Sequence, residues 1–215
     1  MIRIGLFMYD NLAKRETLAG SRGIKFGENS VLEPSITKGF EYSDGWVDDS
    51  RLVILNALAA QNKGATIATQ TKCVSAKRID NQWQVTLEQQ QTKAQQTIKA
   101  KGIVNAAGPW VAKLFDEALI EKSPQNIRLV KGSHIVVPRI HDEKQAYILQ
   151  NKDQRIVFVI PFEDDYSLVG TTDVEHKGAA QDVKISDEEI DYLIDITNSY
   201  FKNHIKREDI VHTFS

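Results

Sequence analysis

Cysteine is nearly absent from this sequence: Cys73 stands alone. That excludes an internal disulfide and a metal site built from clustered thiolates. A reducing compartment follows, and the expected location is cytoplasmic. Long apolar runs are missing too. The opening MIRIGLFMYD holds an apolar run of five residues and one Arg, too short for a signal peptide or a membrane span. Neither sign of charge dominates. With 27 Lys and Arg against 29 Asp and Glu, the net charge is −2, which gives no electrostatic case for nucleic acid or for an anionic membrane. The glycines never form a GxGxxG fingerprint. GSRGIKFG, from Gly20 to Gly27, has the wrong spacing and no preceding strand, so it reads as a turn. The five histidines show no HxH or HExxH spacing, so no metal site is expected. No GxSxG elbow occurs, and Cys73 has no nearby His in sequence, so no nucleophile is indicated.

What is present describes an α+β chain of 215 residues, long enough for one large domain or two small ones. Ile2, Leu6 and Phe7 fall at helical spacing, and FEYSDGWV alternates like a strand. Asp48 and Asp49 cap a helix expected over Ser50 to Gln61, stopped by Asn62-Lys63-Gly64. ATIATQTKCVSAKRI, WQVTLEQQ and TIKAKGIVNAAG then read as strands of a meander, with Gln89 to Thr97 at a hairpin tip. Pro109 opens a helix expected to bury Val111, Leu114, Phe115 and Ala118 on one face. From Ile127 onward, RLVKGSHIVVP, QAYILQN, RIVFVIP and YSLVGTTD are four short strand-like runs that favour an antiparallel sheet. Ser186 and Glu189 form a capping box for a helix carrying Ile190, Leu193, Ile194 and Phe201. DIVHTFS starts another alternating run. FEYSD has the pattern to pair with this later sheet, which would make the second domain discontinuous.

Three stretches have chemical potential. In KGSHIVVP, His134 shares a strand face with Arg128, Val130, Gly132 and Val136, while Lys131 and Ser133 point the other way. That arrangement suits either a pocket for an anionic substrate or a satisfied half-buried histidine. GTTD, Gly170 to Asp173, offers either ligand-binding hydroxyls or a turn closed by its own side chains. In IVNAAGPWV the small residues at a strand end leave room for a cofactor, or simply allow close strand–helix packing.

Together, MIRIGLFMYDNLAKR, GFEYSDGWVDDSRLV, IVNAAGPWV, RLVKGSHIVVPR, QAYILQN, RIVFVIPF and LVGTTDVEHKG resemble the FAD-dependent, respiratory glycerol-3-phosphate dehydrogenases of the D-amino-acid oxidase-like superfamily. The resemblance covers nearly the whole chain, in the family's order, and matches the middle portion of a member. Full-length members are α/β. The resemblance implies a fragment of an FAD-binding domain with a β-meander, over 48–120. It also implies a substrate-capping domain with an antiparallel or mixed sheet, over 1–47 and 121–215.

By the same resemblance the activity is oxidation of sn-glycerol 3-phosphate to dihydroxyacetone phosphate, with hydride passing to FAD and electrons to quinone. His134 falls in the substrate pocket, as a ligand or as the group that removes the C2 hydroxyl proton, and Thr172 lies among the substrate contacts. Cys73 and Val74 offer backbone to the adenine. Ala107, Gly108 and Trp110 neighbour the pyrophosphate or ribityl chain. The family's GxGxxG unit and its substrate-binding arginines fall outside the matched region, so the chain alone is expected to be inactive. Peripheral attachment to the inner membrane would come from parts outside it as well. Two other readings stand beside this one: a non-catalytic interaction module, in which exposed sheet edges favour homo-oligomers, and another amine or hydroxy-acid oxidase of the superfamily.

Overall fold

The computed structural model describes residues 2–12, 16–125 and 127–215. Parts of MIRIGLFMYDNLAKR (1 and 13–15), and Asn126 in the boundary expected near 120–126, lie outside the described residues. The chain is α+β and divides into two compact units, one of Met1–Gly45 with Val130–Ser215 and the other of Trp46–Leu129. Among the described residues, no helix is long and apolar enough to cross a membrane.

The first unit opens with α1 (Ile2–Asn11), tied down at its end by Asp10, which accepts from the Ser21 amide at 2.9 Å and its hydroxyl at 2.6 Å. Strands β1 (Arg22–Lys25) and β2 (Lys38–Glu41) form an antiparallel pair, with Arg22 bonded to Glu41 at its end. Two expectations fail here. GSRGIKFG is partly strand, because Gly23 on one face of the pair and Gly39 on the other leave room for the rings of Phe40 and Phe26 respectively. FEYSD pairs with β1, Phe40 opposite Gly23, and not with the later sheet. The contact with that sheet's unit comes from Val31 to Glu33 instead: Leu32 bridges Phe201, the Glu33 amide donates to Tyr200, and Lys202 donates to Val31.

In the second unit, α2 (Asp49–Asn62) is capped by Asp48, whose carboxylate accepts from the Arg51 amide at 3.0 Å. Its apolar residues face solvent, Val53 at 68%. The meander is β3 (Thr71–Ile79), β4 (Gln82–Gln89) and β5 (Gln95–Ala100), all antiparallel. The strand expected through IVNAAG stops at Ala100. No ladder forms over Ile103–Ala107, and Val104 is 91% exposed, because no described strand lies alongside to satisfy that backbone. After Pro109 the helix is irregular: a 3₁₀ turn at Gly108–Trp110, α3 (Val111–Leu114), and π-type turns over Phe115–Leu119. Of its expected face only Ala118 is fully buried.

The first unit resumes with β6 (Val130–Lys131), β7 (His134–Pro138), β8 (Tyr147–Gln150), β9 (Ile156–Phe162), β10 (Tyr166–Gly170) and β11 (Val174–Glu175). Helix α4 (Asp187–Asn198) and β12 (His212–Phe214) complete it. The main sheet has strand order β12-β7-β10-β9-β8, antiparallel throughout, and β6 pairs separately with β11. Alternation sends Ile135, Val137, Val157, Val159 and Val169 to one face, where Leu193 and Ile196 of α4 and Phe201 cover them. Each such side chain contributes about 1.5–3 kcal/mol by leaving water. The buried stripe of α4 is Glu189, Leu193, Ile196 and Thr197; Ile190 and Ile194 are only half-buried and Phe201 lies beyond the helix end. The stripe is turned from the one expected because its first member is a carboxylate with partners on the sheet.

Candidate functional site

His134 starts β7 and stands on the sheet face opposite α4, between its cross-strand partners Gly170 of β10 and Phe214 of β12. The space for the imidazole is made by the glycine. A Cβ on Gly170 would lie 2.2 Å from His134 Cδ2, so no other residue fits without moving the ring. On the other side the ring stacks on Phe214, centroids 4.8 Å apart and planes at 12°. Burial between these neighbours pushes the His134 pKa below its ordinary value, an effect the Gly132 backbone partly offsets. The imidazole is therefore neutral at pH 7 and able to take up a proton.

Behind the strand, on the α4 side, lies a polar cluster. Glu189 is 6% exposed. Its Oε1 accepts from Ser133 Oγ at 3.0 Å and from Thr172 Oγ1 at 2.8 Å. Its Oε2 accepts from Lys131 Nζ at 2.6 Å and from the Ser186 amide at 2.8 Å. Burial alone would raise the Glu189 pKa, but hydrogen bonds from Lys131, the Ser186 amide, Thr172 and Ser133 overcome it and hold the carboxyl at about 2. Thr172, 2% exposed, accepts the Ser133 amide at 2.8 Å on the same hydroxyl. Both GTTD hydroxyls are thus engaged inside the chain, since Thr171 Oγ1 donates to the Thr172 carbonyl. Two cavities of about 340 and 430 Å³ border this cluster, sharing Lys131, Arg155 and Thr172; His134 lines neither.

The remaining sequence-derived candidates belong to the second unit, as does Arg128. Cys73 and Val74 lie on β3, whose outer edge has no partner strand in the meander. The register with β4 passes from Cys73–Leu87 to Ser75–Thr86, leaving Val74 as the extra residue of a β-bulge. Burial raises the Cys73 thiol pKa, so this is not an activated nucleophile. Ala107, Gly108 and Trp110 form the turn after IVN. Asn105 braces it, donating to the Val111 carbonyl at 2.9 Å and accepting from the Ala107 amide at 3.4 Å. Gly108 sits at φ +53° with open space where a Cβ would be, and Trp110 is 44% exposed. Among the described residues no cluster of His, Cys, Asp and Glu could hold a metal.

Two participants escape sequence reasoning. Glu189 is visible only as the last residue of an S-x-x-E cap, and Phe214 only as one step of an alternating run.

Residues 10–215 match the family model for FAD dependent oxidoreductases. The chain is 55% identical over its whole length to the aerobic glycerol-3-phosphate dehydrogenase of Escherichia coli K12, and 47% to the D-erythritol 1-phosphate dehydrogenase of Brucella abortus. In each case it covers 43% of the relative, so it spans about two-fifths of their length. Among solved structures it is similar to the glycerol-3-phosphate dehydrogenase of Bacillus halodurans complexed with FAD. There the TM-score is 0.76 at 27% identity, over 86% of this chain and 38% of that one.

Proposed function

Because the chain belongs to the FAD dependent oxidoreductase family, we propose that it is part of a flavoenzyme oxidising sn-glycerol 3-phosphate to dihydroxyacetone phosphate. The observation that carries this reading is the 55% identity to the Escherichia coli enzyme over all 215 residues. Oxidation of the C2 alcohol removes a hydride from carbon and a proton from the hydroxyl. The pocket therefore needs a neutral base within reach of that proton. His134, half-buried and held neutral by its surroundings, suits the role. Thr172 supports the pocket from behind, since its hydroxyl is spent on Ser133 and Glu189.

FAD, when bound, supplies the hydride acceptor. Cys73 and Val74 present backbone to its adenine, and the bulge leaves Val74 outside the pairing with β4. Ala107, Gly108 and Trp110 flank its pyrophosphate or ribityl chain, where bare backbone at Gly108 admits close approach. In this reading 48–120 belongs to the FAD domain and 1–47 with 121–215 to the cap. Electrons pass on to quinone, and any membrane contact is peripheral. The chain carries no GxGxxG loop to cradle a pyrophosphate, so by itself it binds FAD weakly and does not turn over.

A chimera tests the reading: these 215 residues replace the matching segment of the Escherichia coli relative. A yellow chimera that reduces a dye with glycerol 3-phosphate supports it. A folded, flavin-loaded chimera that is inactive, or that accepts only D-erythritol 1-phosphate, overturns it. In the active chimera His134→Ala should cost ~10²–10⁴-fold in kcat; unchanged turnover and KM would remove His134 from the chemistry.

The exposed apolar surface of α2 supports a second reading, in which this face docks on further polypeptide, a second copy included. Sedimentation of the isolated chain distinguishes them: concentration-dependent association supports docking on itself, and a stable monomer rejects it.

A further inference from the structure

We propose that Glu189 is a positioning residue for His134, acting as a carboxylate that ties the start of β7 to the end of β10. His134 itself makes no contact with Glu189. It is instead held by two features of backbone, the position of Ser133 immediately before it and that of Gly170 directly across from it. Glu189 fixes both. Ser133 Oγ donates to Oε1, and so does Thr172 Oγ1, two residues beyond Gly170. The Ser133 amide then donates to Thr172 Oγ1 at 2.8 Å and the Thr172 amide to the Ser133 carbonyl at 3.3 Å. The two strand ends are therefore cross-linked twice directly and once more through the carboxylate.

The proton inventory leaves no slack in this cluster. Ser133 has one hydroxyl proton and gives it to Glu189, so in the 2.8 Å contact with Ser215 Oγ it is Ser215 that donates. Thr172 likewise gives its only hydroxyl proton to Glu189 while its lone pairs take the Ser133 amide. Lys131, only 13% exposed in its side chain, supplies the balancing charge and also donates to the Lys184 carbonyl at 2.7 Å. An amide in place of the carboxylate cannot accept all four hydrogen bonds, and it leaves the Lys131 charge buried without a counterion. A helix cap alone would require only the Ser186 contacts. The hydroxyls arriving from β7 and from the segment after β10 are surplus to capping, and both abut the pair that frames His134.

This assignment takes its functional meaning from the reading of His134 as a substrate contact, but its test does not depend on turnover. The probe is the His134 imidazole, titrated by NMR in this chain, with Glu189→Gln, Thr172→Val, Thr172→Ser and Ser186→Ala compared. Glu189→Gln and Thr172→Val should free the strand ends and let the ring out of its slot between Gly170 and Phe214. Its pKa should then rise by roughly half a unit or more, and the Ser133 amide should exchange faster. Thr172→Ser keeps the hydroxyl and should restore the wild-type titration. Ser186→Ala should lower the melting temperature through the lost cap and leave His134 unchanged. Should Glu189→Gln fail to fold, the Thr172 pair carries the same comparison. An unchanged His134 titration in Thr172→Val, or an equal shift in Ser186→Ala, would show that Glu189 is a cap and nothing more. Failure of the substrate reading registers separately, in the turnover of His134→Ala.

Discussion

His134 and Phe214 lie face to face, 4.8 Å between ring centroids and 12° from parallel. The phenyl ring gives the imidazole one apolar wall and withholds water from it. Its own outer surface is open, with Phe214 43% exposed, so the residue is removable at small cost to the core. This pair therefore allows the environment of His134 to be altered without altering His134.

Phe214→Ala should raise the His134 pKa toward its ordinary value near 6.5, since desolvation is the main cause of the depression. An NMR titration reads this directly. In an active chimera the acidic limb of the pH–rate profile should move up by the same amount. A titration unchanged from wild type would assign the depression to Gly170 and the strand backbone instead.

Stability should fall with acid in two stages. His134 and His141 are both held below their ordinary pKa by burial, so the unfolded chain binds protons first as pH drops. Their contribution is complete above about 6.5 and declines below it. Glu189 follows: its pKa falls from 4.5 to about 2 on folding. Its contribution is present above 4.5 and is lost as pH descends toward 2. After solvent screening this second stage is on the order of 2 kcal/mol. Urea unfolding between pH 7 and 3 should show both, and Glu189→Gln should shrink the lower one, leaving the part due to Asp48, Glu88, Glu117, Asp153 and Glu188, whose pKa values are also lowered.

Two glycines should fail for different reasons. Gly170→Ala meets His134 Cδ2 at 2.2 Å, so it should displace the imidazole and change its titration. Gly108→Ala meets nothing but sits at φ +53°, so it should cost about 1 kcal/mol of backbone strain and leave His134 unaffected. Paired thermal melts and NMR spectra of the two variants separate a steric effect from a conformational one.

Local chemistry was legible and long-range pairing was not. The Asp48 cap, the end of α2 near Asn62 and the Ser186–Glu189 box each depend on residues within a few positions, and each could be read from the sequence. The meander was legible for the same reason, as alternation between turn residues. IVNAAG reads as a strand because its residues are apolar, yet a strand needs a neighbour, and Ile103–Ala107 has none among the described residues. β1 was hidden because glycines that make room for an aromatic ring on a strand look like glycines that make a turn. Glu189 was the hardest to read: its partners Ser133 and Thr172 lie 56 and 17 positions away, and nothing local distinguishes a hub from a cap.

The bridge between Leu32 and Phe201 bears on how the protein is made. Those two residues are 201 − 32 = 169 positions apart. Ribosomes add ~5–20 residues per second, so Leu32 waits roughly ten to thirty seconds for its partner to be synthesised. Trp46–Leu129 forms a compact unit from consecutive residues and can assemble within that interval. The first 45 residues cannot. The apolar side chains of Phe26, Val31 and Leu32, which pack with Phe201 in the core, are thus left without that cover during the interval and are the ones a chaperone would shield.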